Sequence, residues 1–357
     1  MRGQKTSRAI LCLTLALCLA PAAALAVDDP KTTPTESKPL PTTTPAPAEM
    51  KRLPAPTDMV DPQRFGGGKG NGSEPDLDRF GGAKTDPAYG AFQRGLYMTA
   101  YNLALPRATA GDAAAQTLVA EILSRGLGVP RNDKEAAKWY ALAAEQGIPE
   151  AQFQYALMLL DGDFVKKDAQ AAYALMQSAA EAGNRLAQFN FAQMLVGRES
   201  EGKGMDDAVI YYQRAADAGL ADAQYAMSQI FANGVGGKKH DDVEARRWLL
   251  RAAIQGYDTA QLDLGTWLMD GRGGDRDRKA GFNWMRIAAL DGNVAAQNRL
   301  AKFYMQGLGT DPDSISAAAW YMLARRAGLK DAAMDDFLDG LTDEEMKTAL
   351  QRANRLR

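Results

Sequence analysis

A glycine that returns at a fixed interval limits what this chain can fold into. The intervals are 36 or 37 residues, and the positions are Gly111, Gly147, Gly183, Gly219, Gly256, Gly292 and Gly328. Each of the first six is followed, four and five residues later, by an Ala-Gln pair such as Ala151-Gln152. Such a period is typical of solenoids, in which each repeat buries its apolar face only against its neighbours. The chain is therefore predicted to be an array of repeats.

The pattern within one repeat predicts two helices, A and B. Counted from the alanine of the Ala-Gln pair, positions 0, 4, 5 and 8 are small or apolar, which marks one face of helix A. In one repeat these positions are Ala151, Tyr155, Ala156 and Leu159. Helix A is predicted to end at a glycine in the left-handed conformation at position 11. These glycines are Gly126, Gly162, Gly234, Gly271 and Gly307. The third repeat lacks that glycine, so residues 197–204 are predicted to form an irregular loop.

Helix B is predicted to begin at a capping aspartate, which satisfies free amides and suits the helix dipole. The candidates are Asp133, Asp168, Asp206, Asp241, Asp277 and Asp313. Trp139, Trp248, Trp284 and Trp320 recur at one position of this helix. Because they recur once per repeat, they are predicted to fill the core rather than to form a ligand cage. The Ala-Ala pair that follows allows the next helix A to approach closely.

The N-terminus has the pattern of a secretory signal over residues 1–26, with Arg2, Lys5 and Arg8 before an apolar run. Cleavage after Ala26 would lower the formal net charge from −2 to −5 and remove both cysteines. The mature protein is therefore expected to be exported, to be periplasmic, and to contain no disulfide. Retention of the signal as an anchor is the alternative, although its apolar run is short for a span of ~20 residues. No stable membrane insertion is expected after cleavage.

Residues 27–86, rich in proline, threonine and glycine, are predicted to be an extended tail. An Arg-Phe-Gly-Gly sequence occurs in it twice, at 64–67 and 79–82. These copies form either a docking motif or a cover for the first helices. Residues 87–110 are predicted to be N-terminal capping helices, 111–328 the repeats, and 329–357 a half-repeat with a capping helix.

The chemistry-bearing residues do not form a catalytic pattern. The single histidine, His240, lies beside two lysines in a glycine-rich loop, without a second histidine or a cysteine to complete a metal site. No group of tuned acids and bases is singled out, so no enzyme activity, cofactor or metal is predicted. The near-neutral net charge gives no electrostatic reason to expect nucleic acid as a partner.

Residues 127–147 resemble a Sel1-like repeat. The marks are a Gly-x-Gly-Val loop that begins at Gly126, a Lys-x-Ala-x-x-Trp-Tyr run and an Ala-Ala-x-x-Gly ending. The resemblance implies an all-α fold: a right-handed αα-superhelix of about six repeats with helical caps, related to tetratricopeptide arrays. It also implies a non-enzymatic adaptor or regulator that binds a protein or peptide partner in the bacterial cell envelope. An envelope enzyme or a cell-wall carbohydrate-binding protein is the alternative.

In this architecture helix A lines the concave side, so its variable positions would face a groove. We name the predicted partner-binding residues the helix A strip. They are Gln154, Asn190, Gln193, Gln229, Asn233, Asp263, Thr266, Arg299 and Lys302. Amides can pair with a peptide backbone through both donor and acceptor, and an ordinary solvated face is the alternative reading. The invariant Ala-Gln glutamines are instead predicted to make a structural hydrogen bond to the turn between repeats.

Overall fold

The computed structural model describes residues 86–198 and 203–356, and the described chain is built from α-helices. In chain order they are α1 (Pro87–Gln93), α2 (Tyr97–Thr109), α3 (Ala113–Arg125), α4 (Asp133–Glu145), α5 (Pro149–Asp161), α6 (Ala169–Glu181), α7 (Arg185–Arg198), α8 (Lys203–Asp217), α9 (Ala221–Asn233), α10 (Asp242–Ile254), α11 (Asp258–Asp270), α12 (Arg278–Leu290), α13 (Val294–Gln306), α14 (Ser314–Arg326), α15 (Ala332–Asp339) and α16 (Asp343–Arg355). The predicted signal, residues 27–85 of the predicted tail and both Arg-Phe-Gly-Gly copies lie outside the described residues, whereas Asp86 caps α1.

Successive helices pack side by side, so that α3 to α14 form six A and B pairs. The odd-numbered helices from α3 to α13 are the A helices, and the even-numbered helices from α4 to α14 are the B helices. At the C-terminal end α16 packs against α14 and begins with the predicted capping box, in which Thr342 and Glu345 satisfy each other's backbone amides. The prediction of an all-α solenoid is confirmed.

The glycines at the ends of the A helices adopt the conformation that was predicted for them. Their φ angles lie between 63° and 79° at Gly126, Gly162, Gly234, Gly271 and Gly307. Residues with a Cβ rarely adopt this left-handed backbone, which turns the chain out of the helix and lets it re-enter as helix B. At the other helix ends, the predicted aspartate caps are confirmed at Asp168, Asp241, Asp277 and Asp313.

Three local predictions were wrong. Asp133 is the first residue of α4, because Asn132 has the non-helical backbone of a cap and its Oδ1 accepts the Glu135 amide at 3.1 Å. Asp206 lies in the first turn of α8, which begins earlier, at Lys203. The irregular loop predicted for residues 197–204 does not include its predicted ends, because Gly197 belongs to α7 and Gly204 to α8, while residues 199–202 lie outside the described chain. Glycine at position 197 weakens a helix without forbidding it.

The core of each B helix is centred one residue after the tryptophan position. The residues there are 0–1% exposed in all six repeats: Tyr140, Met176, Tyr212, Leu249, Met285 and Tyr321. Trp248 and Trp320 are also buried, as predicted, but Trp139 and Trp284 are only half-buried against the edge of the core. Consecutive helical residues point about 100° apart. The tryptophan therefore lies beside the helix crossing, and the next residue lies within it.

The loop from helix A to helix B packs against the preceding repeat, a contact that sequence reasoning did not find. Gly273, with a φ of 71°, lies so close to the Asp242 carbonyl of α10 that a Cβ would overlap it. Gly309 lies in the same way against the Arg278 carbonyl of α12. This second glycine of the loop is therefore needed for close approach of backbone to backbone.

A glutamine spans the junction before each of the six repeats, as predicted, and it is buried in the first five repeats and half-buried in the sixth. In each case Nε2 donates to the alanyl carbonyl at the end of the preceding helix, eight residues earlier, at 3.1–3.3 Å. The pairs are Gln116 with Ala108, Gln152 with Ala144, Gln188 with Ala180, Gln224 with Ala216, Gln261 with Ala253, and Gln297 with Ala289. The amide thus fixes the first turn of helix A to the end of the helix before it.

The acceptor oxygen of these glutamines is satisfied at some junctions and not at others. Gln146 donates to Gln116 Oε1 at 2.8 Å, and Gln255 donates to Gln224 Oε1 at 2.6 Å. The Oε1 atoms of Gln152, Gln188 and Gln261 are buried without a partner among the described residues. In those repeats the position of Gln146 is occupied by Ala182, Ala218 and Asp291. A missing side chain therefore leaves a buried carbonyl oxygen without a donor, which is unfavourable.

Replacing the exposed Ala182 with glutamine should stabilise the protein. The new amide is expected to donate to Gln152 Oε1, as Gln146 does to Gln116, and to raise the free energy of unfolding by about 0.5–1.5 kcal/mol. Urea unfolding of Ala182→Gln measures this gain. The matched control is Gln146→Ala, which should lower stability because it leaves Gln116 Oε1 without its donor. Equal stability of both variants with wild type would show that the second hydrogen bond contributes nothing.

Candidate functional site

The helix A strip is distributed over five consecutive A helices. Gln154 lies on α5, Asn190 and Gln193 on α7, Gln229 and Asn233 on α9, Asp263 and Thr266 on α11, and Arg299 and Lys302 on α13. Asn233 and Arg299 are exposed, and the others are half-buried. The strip therefore runs across the layer of A helices and is accessible from solvent along its length.

The N-terminal half of the strip carries amides that make no bond to a neighbouring helix. Gln154 and Gln193 have no hydrogen bond to any described residue. The amides of Asn190 and Asn233 donate to their own helices, to the Leu186 and Gln229 carbonyls, both at 2.8 Å. Donors and acceptors on α5, α7 and α9 are thus available to a partner.

The C-terminal half of the strip is cross-linked from helix to helix. The Tyr225 hydroxyl of α9 donates to Asp263 Oδ2 of α11 at 3.0 Å. Arg299 of α13 donates to Thr266 Oγ1 of α11 at 2.6 Å. Lys302 pairs with Asp331, the residue that caps α15, at 2.5 Å. The two halves therefore differ: polar groups on α11 and α13 already have partners within the protein.

Asp263 is the carboxyl of the strip, and its pKa is shifted. Burial raises its pKa above the ordinary value, against the hydrogen bond from Tyr225 and the charges of Arg299 and Arg272, which act to lower it. Burial, together with this carboxylate, also raises the pKa of Tyr225. The ring of Tyr225 stacks on that of Tyr257 at 5.0 Å between centroids. Tyr225 was missed in the sequence because it occupies a position that is otherwise mostly apolar.

His240 lies in the loop between α9 and α10 and is not a member of the strip. The imidazole is 60% exposed, and its Nε2 lies 3.3 Å from Asp242 Oδ1. Within residues 86–198 and 203–356, no group of three or more histidine, cysteine or acidic side chains is placed to hold a metal ion. In the same part of the chain, the helices are too short or too polar to cross a membrane.

Asp263→Asn is expected to stabilise the protein at neutral pH. The folded-state pKa of Asp263 is raised, so its ionisation is unfavourable in the folded protein and this penalty disappears as the carboxyl is protonated. Asparagine removes the charge and keeps an acceptor for Tyr225. The advantage of the variant in urea unfolding should therefore shrink as the pH falls from about 7 to about 4. The exposed Asp336→Asn is the control, and an equal pH dependence of both variants would contradict the assignment.

The sequence and the fold were compared with those of known proteins. A sequence model described as the Sel1 repeat matches residues 113–148, 149–184, 187–220, 221–257, 259–293 and 294–329, more than half of the chain. Among solved structures, the chain is similar to a Sel1 repeat protein from Oxalobacter formigenes, with 26% identity over 70% of this chain and 100% of that protein and a TM-score of 0.59. It is also similar to c5321, a protective antigen of uropathogenic Escherichia coli strains with an SLR fold. That match has 25% identity, covers 72% of this chain and 63% of c5321, and has a TM-score of 0.48.

Proposed function

Because this chain belongs to the Sel1 repeat family, we propose that it is an adaptor or regulator of the bacterial cell envelope that binds a protein partner on the helix A strip. Sel1 repeat proteins are generally scaffolds for protein interaction and typically not enzymes. We further propose where on the fold the partner binds and in which compartment. The partner contacts the amides of α5, α7 and α9, and the encounter takes place outside the cytoplasm.

The free amides of α5, α7 and α9 are the main support for placing the partner on the N-terminal half of the strip. Gln154 and Gln193 have side-chain amides without a hydrogen bond to any described residue, and Asn190 and Asn233 bond only to their own helices. An amide offers both a donor and an acceptor, the two groups that an extended peptide backbone presents in alternation. Binding a peptide here breaks no contact between helices. On α11 and α13 the same positions would first have to release Tyr225, Thr266 or Asp331.

The proposed compartment depends on the N-terminal sequence. Residues 1–26 carry the charged, apolar and small-residue regions of a secretory signal in the order that export requires. Both cysteines of the chain lie in this segment, so cleavage would leave a chain that needs no oxidative folding. N-terminal sequencing of the protein recovered from an envelope extract should begin at Val27.

The combined variant Asn190→Ala, Gln193→Ala, Gln229→Ala tests the binding site. These residues lie outside the core and the caps, so the variant is expected to change stability by less than ~0.5 kcal/mol for each substitution. Interface residues can contribute more than ~2 kcal/mol to binding. A partner captured by the wild type from envelope extracts, and identified by mass spectrometry, should therefore be lost from the variant.

The matched control carries three amide substitutions on B helices: Gln170→Ala, Gln177→Ala and Gln213→Ala. It removes the same chemical groups from the other layer and should retain the partner. A second control replaces Lys238, Lys239 and His240 with alanine and should also retain it. Loss of the partner from either control, with normal capture by the strip variant, would place the site elsewhere. Capture abolished only by deletion of residues 62–84 would assign binding to the tail.

A further inference from the structure

Three repeats place a tyrosine at the same buried position of helix B. Tyr140, Tyr212 and Tyr321 follow the tryptophan position in α4, α8 and α14, each 25 residues after the alanine of its Ala-Gln pair. All three rings are at most 1% exposed. Because the repeats have equivalent packing, the three hydroxyls can be compared directly. They differ in what they bind.

Two of these hydroxyls donate to a carboxylate within the protein. The Tyr140 hydroxyl donates to Glu121 Oε2 of α3 at 3.0 Å. The Tyr321 hydroxyl donates to Asp335 Oδ1 of α15 at 2.7 Å. The Tyr212 hydroxyl is buried and has no partner among the described residues. Burial alone raises the pKa of Tyr212. A buried hydroxyl that lacks its acceptor is unfavourable, and within residues 86–198 and 203–356 the Tyr212 hydroxyl has none.

The residue that could satisfy Tyr212 is a member of the helix A strip. Gln193 has the position in α7 that Glu121 has in α3, six residues after the alanine of the Ala-Gln pair. It is half-buried, and no hydrogen bond to a described residue holds its amide in place. Its side chain is therefore free to turn away. The Phe189 ring packs against the Tyr212 ring edge-on at 5.6 Å and fixes the orientation of the phenol.

We propose that Tyr212 and Gln193 form a site for a carboxylate from the partner, supplied by an aspartate or glutamate side chain. The partner provides in the third repeat the acceptor that Glu121 provides in the first. The phenol donates one hydrogen bond, and the Gln193 amide donates another. Hydrogen bonds to an ionised acceptor are about twice as strong as neutral ones, which favours a carboxylate over a peptide carbonyl. This inference rests on the proposed function, since it defines the chemistry of the partner bound on that strip.

The variant Gln193→Glu tests the geometry without any partner. It places a carboxylate where Glu121 lies in the first repeat, and the Tyr212 hydroxyl should donate to it. The midpoint of thermal unfolding should rise by roughly 2–4 °C. The same substitution in a Tyr212→Phe background should give no increase, because the donor is absent. Gln229→Glu is the matched control, because Leu249 stands in its repeat where Tyr212 stands in the third and no phenol is present. An equal shift in all three proteins, or none in Gln193→Glu, would overturn the site.

A display library of random twelve-residue peptides then tests the ligand. Peptides selected on the wild type should show aspartate or glutamate enriched at one position. The enrichment should disappear on Tyr212→Phe and on Gln193→Glu, and persist on the control with three alanines on B helices. Peptides selected without an acidic position, or with the same acidic position on Tyr212→Phe, would overturn this inference and leave the proposed function standing. Failure to select any peptide that depends on the strip would overturn both.

Discussion

The hydrogen bond from the glutamine at each junction is the interaction on which the array of repeats depends. The glutamine Nε2 donates to the alanyl carbonyl at the end of the preceding helix in every repeat, and small residues around it let the helices approach. The bond uses only the donor of the amide, so the acceptor oxygen needs a second group. Gln146 and Gln255 supply one, whereas Ala182 and Ala218 cannot. Junctions with the same backbone arrangement therefore differ in whether the glutamine Oε1 accepts a hydrogen bond.

This arrangement separates the groups that hold the fold from those that remain available. The junction glutamines from Gln116 to Gln261 are buried, while the amides of Gln154 and Gln193 lie half-buried on the helix A strip, without a bond to a described residue. The second junction bond is missing at Gln152 and Gln188, and also at Gln261 on α11. Towards the C-terminus, bonds such as Tyr225 to Asp263 tie one A helix to the next. The part of the strip with the most available donors is thus also the part with the fewest internal cross-links.

Much of the fold could be predicted from the sequence, because each repeated residue has one physical task. A glycine was expected at the end of helix A because the left-handed turn favours it. The Ala-Gln glutamine was expected to make a structural hydrogen bond because it is invariant across the repeats. The rotation of helix B could not be predicted: Trp139 and Tyr140 are neighbours, and a helical period does not say which of them centres the crossing. The contact of Tyr225 with Asp263 was also hidden, because it joins different positions of adjacent repeats. The location of the partner site on the strip remains a prediction.

Hydrogen exchange measured by mass spectrometry on Gln188→Met tests most directly whether the junction glutamine couples the repeats. Methionine keeps the length of the side chain and removes the donor to the Ala180 carbonyl. In a solenoid, coupling acts between nearest neighbours. Exchange should therefore accelerate in α6, α7 and their adjacent helices, while α13 to α16 keep the rates of the wild type. Unchanged rates throughout, or an equal acceleration across all sixteen described helices, would contradict the account.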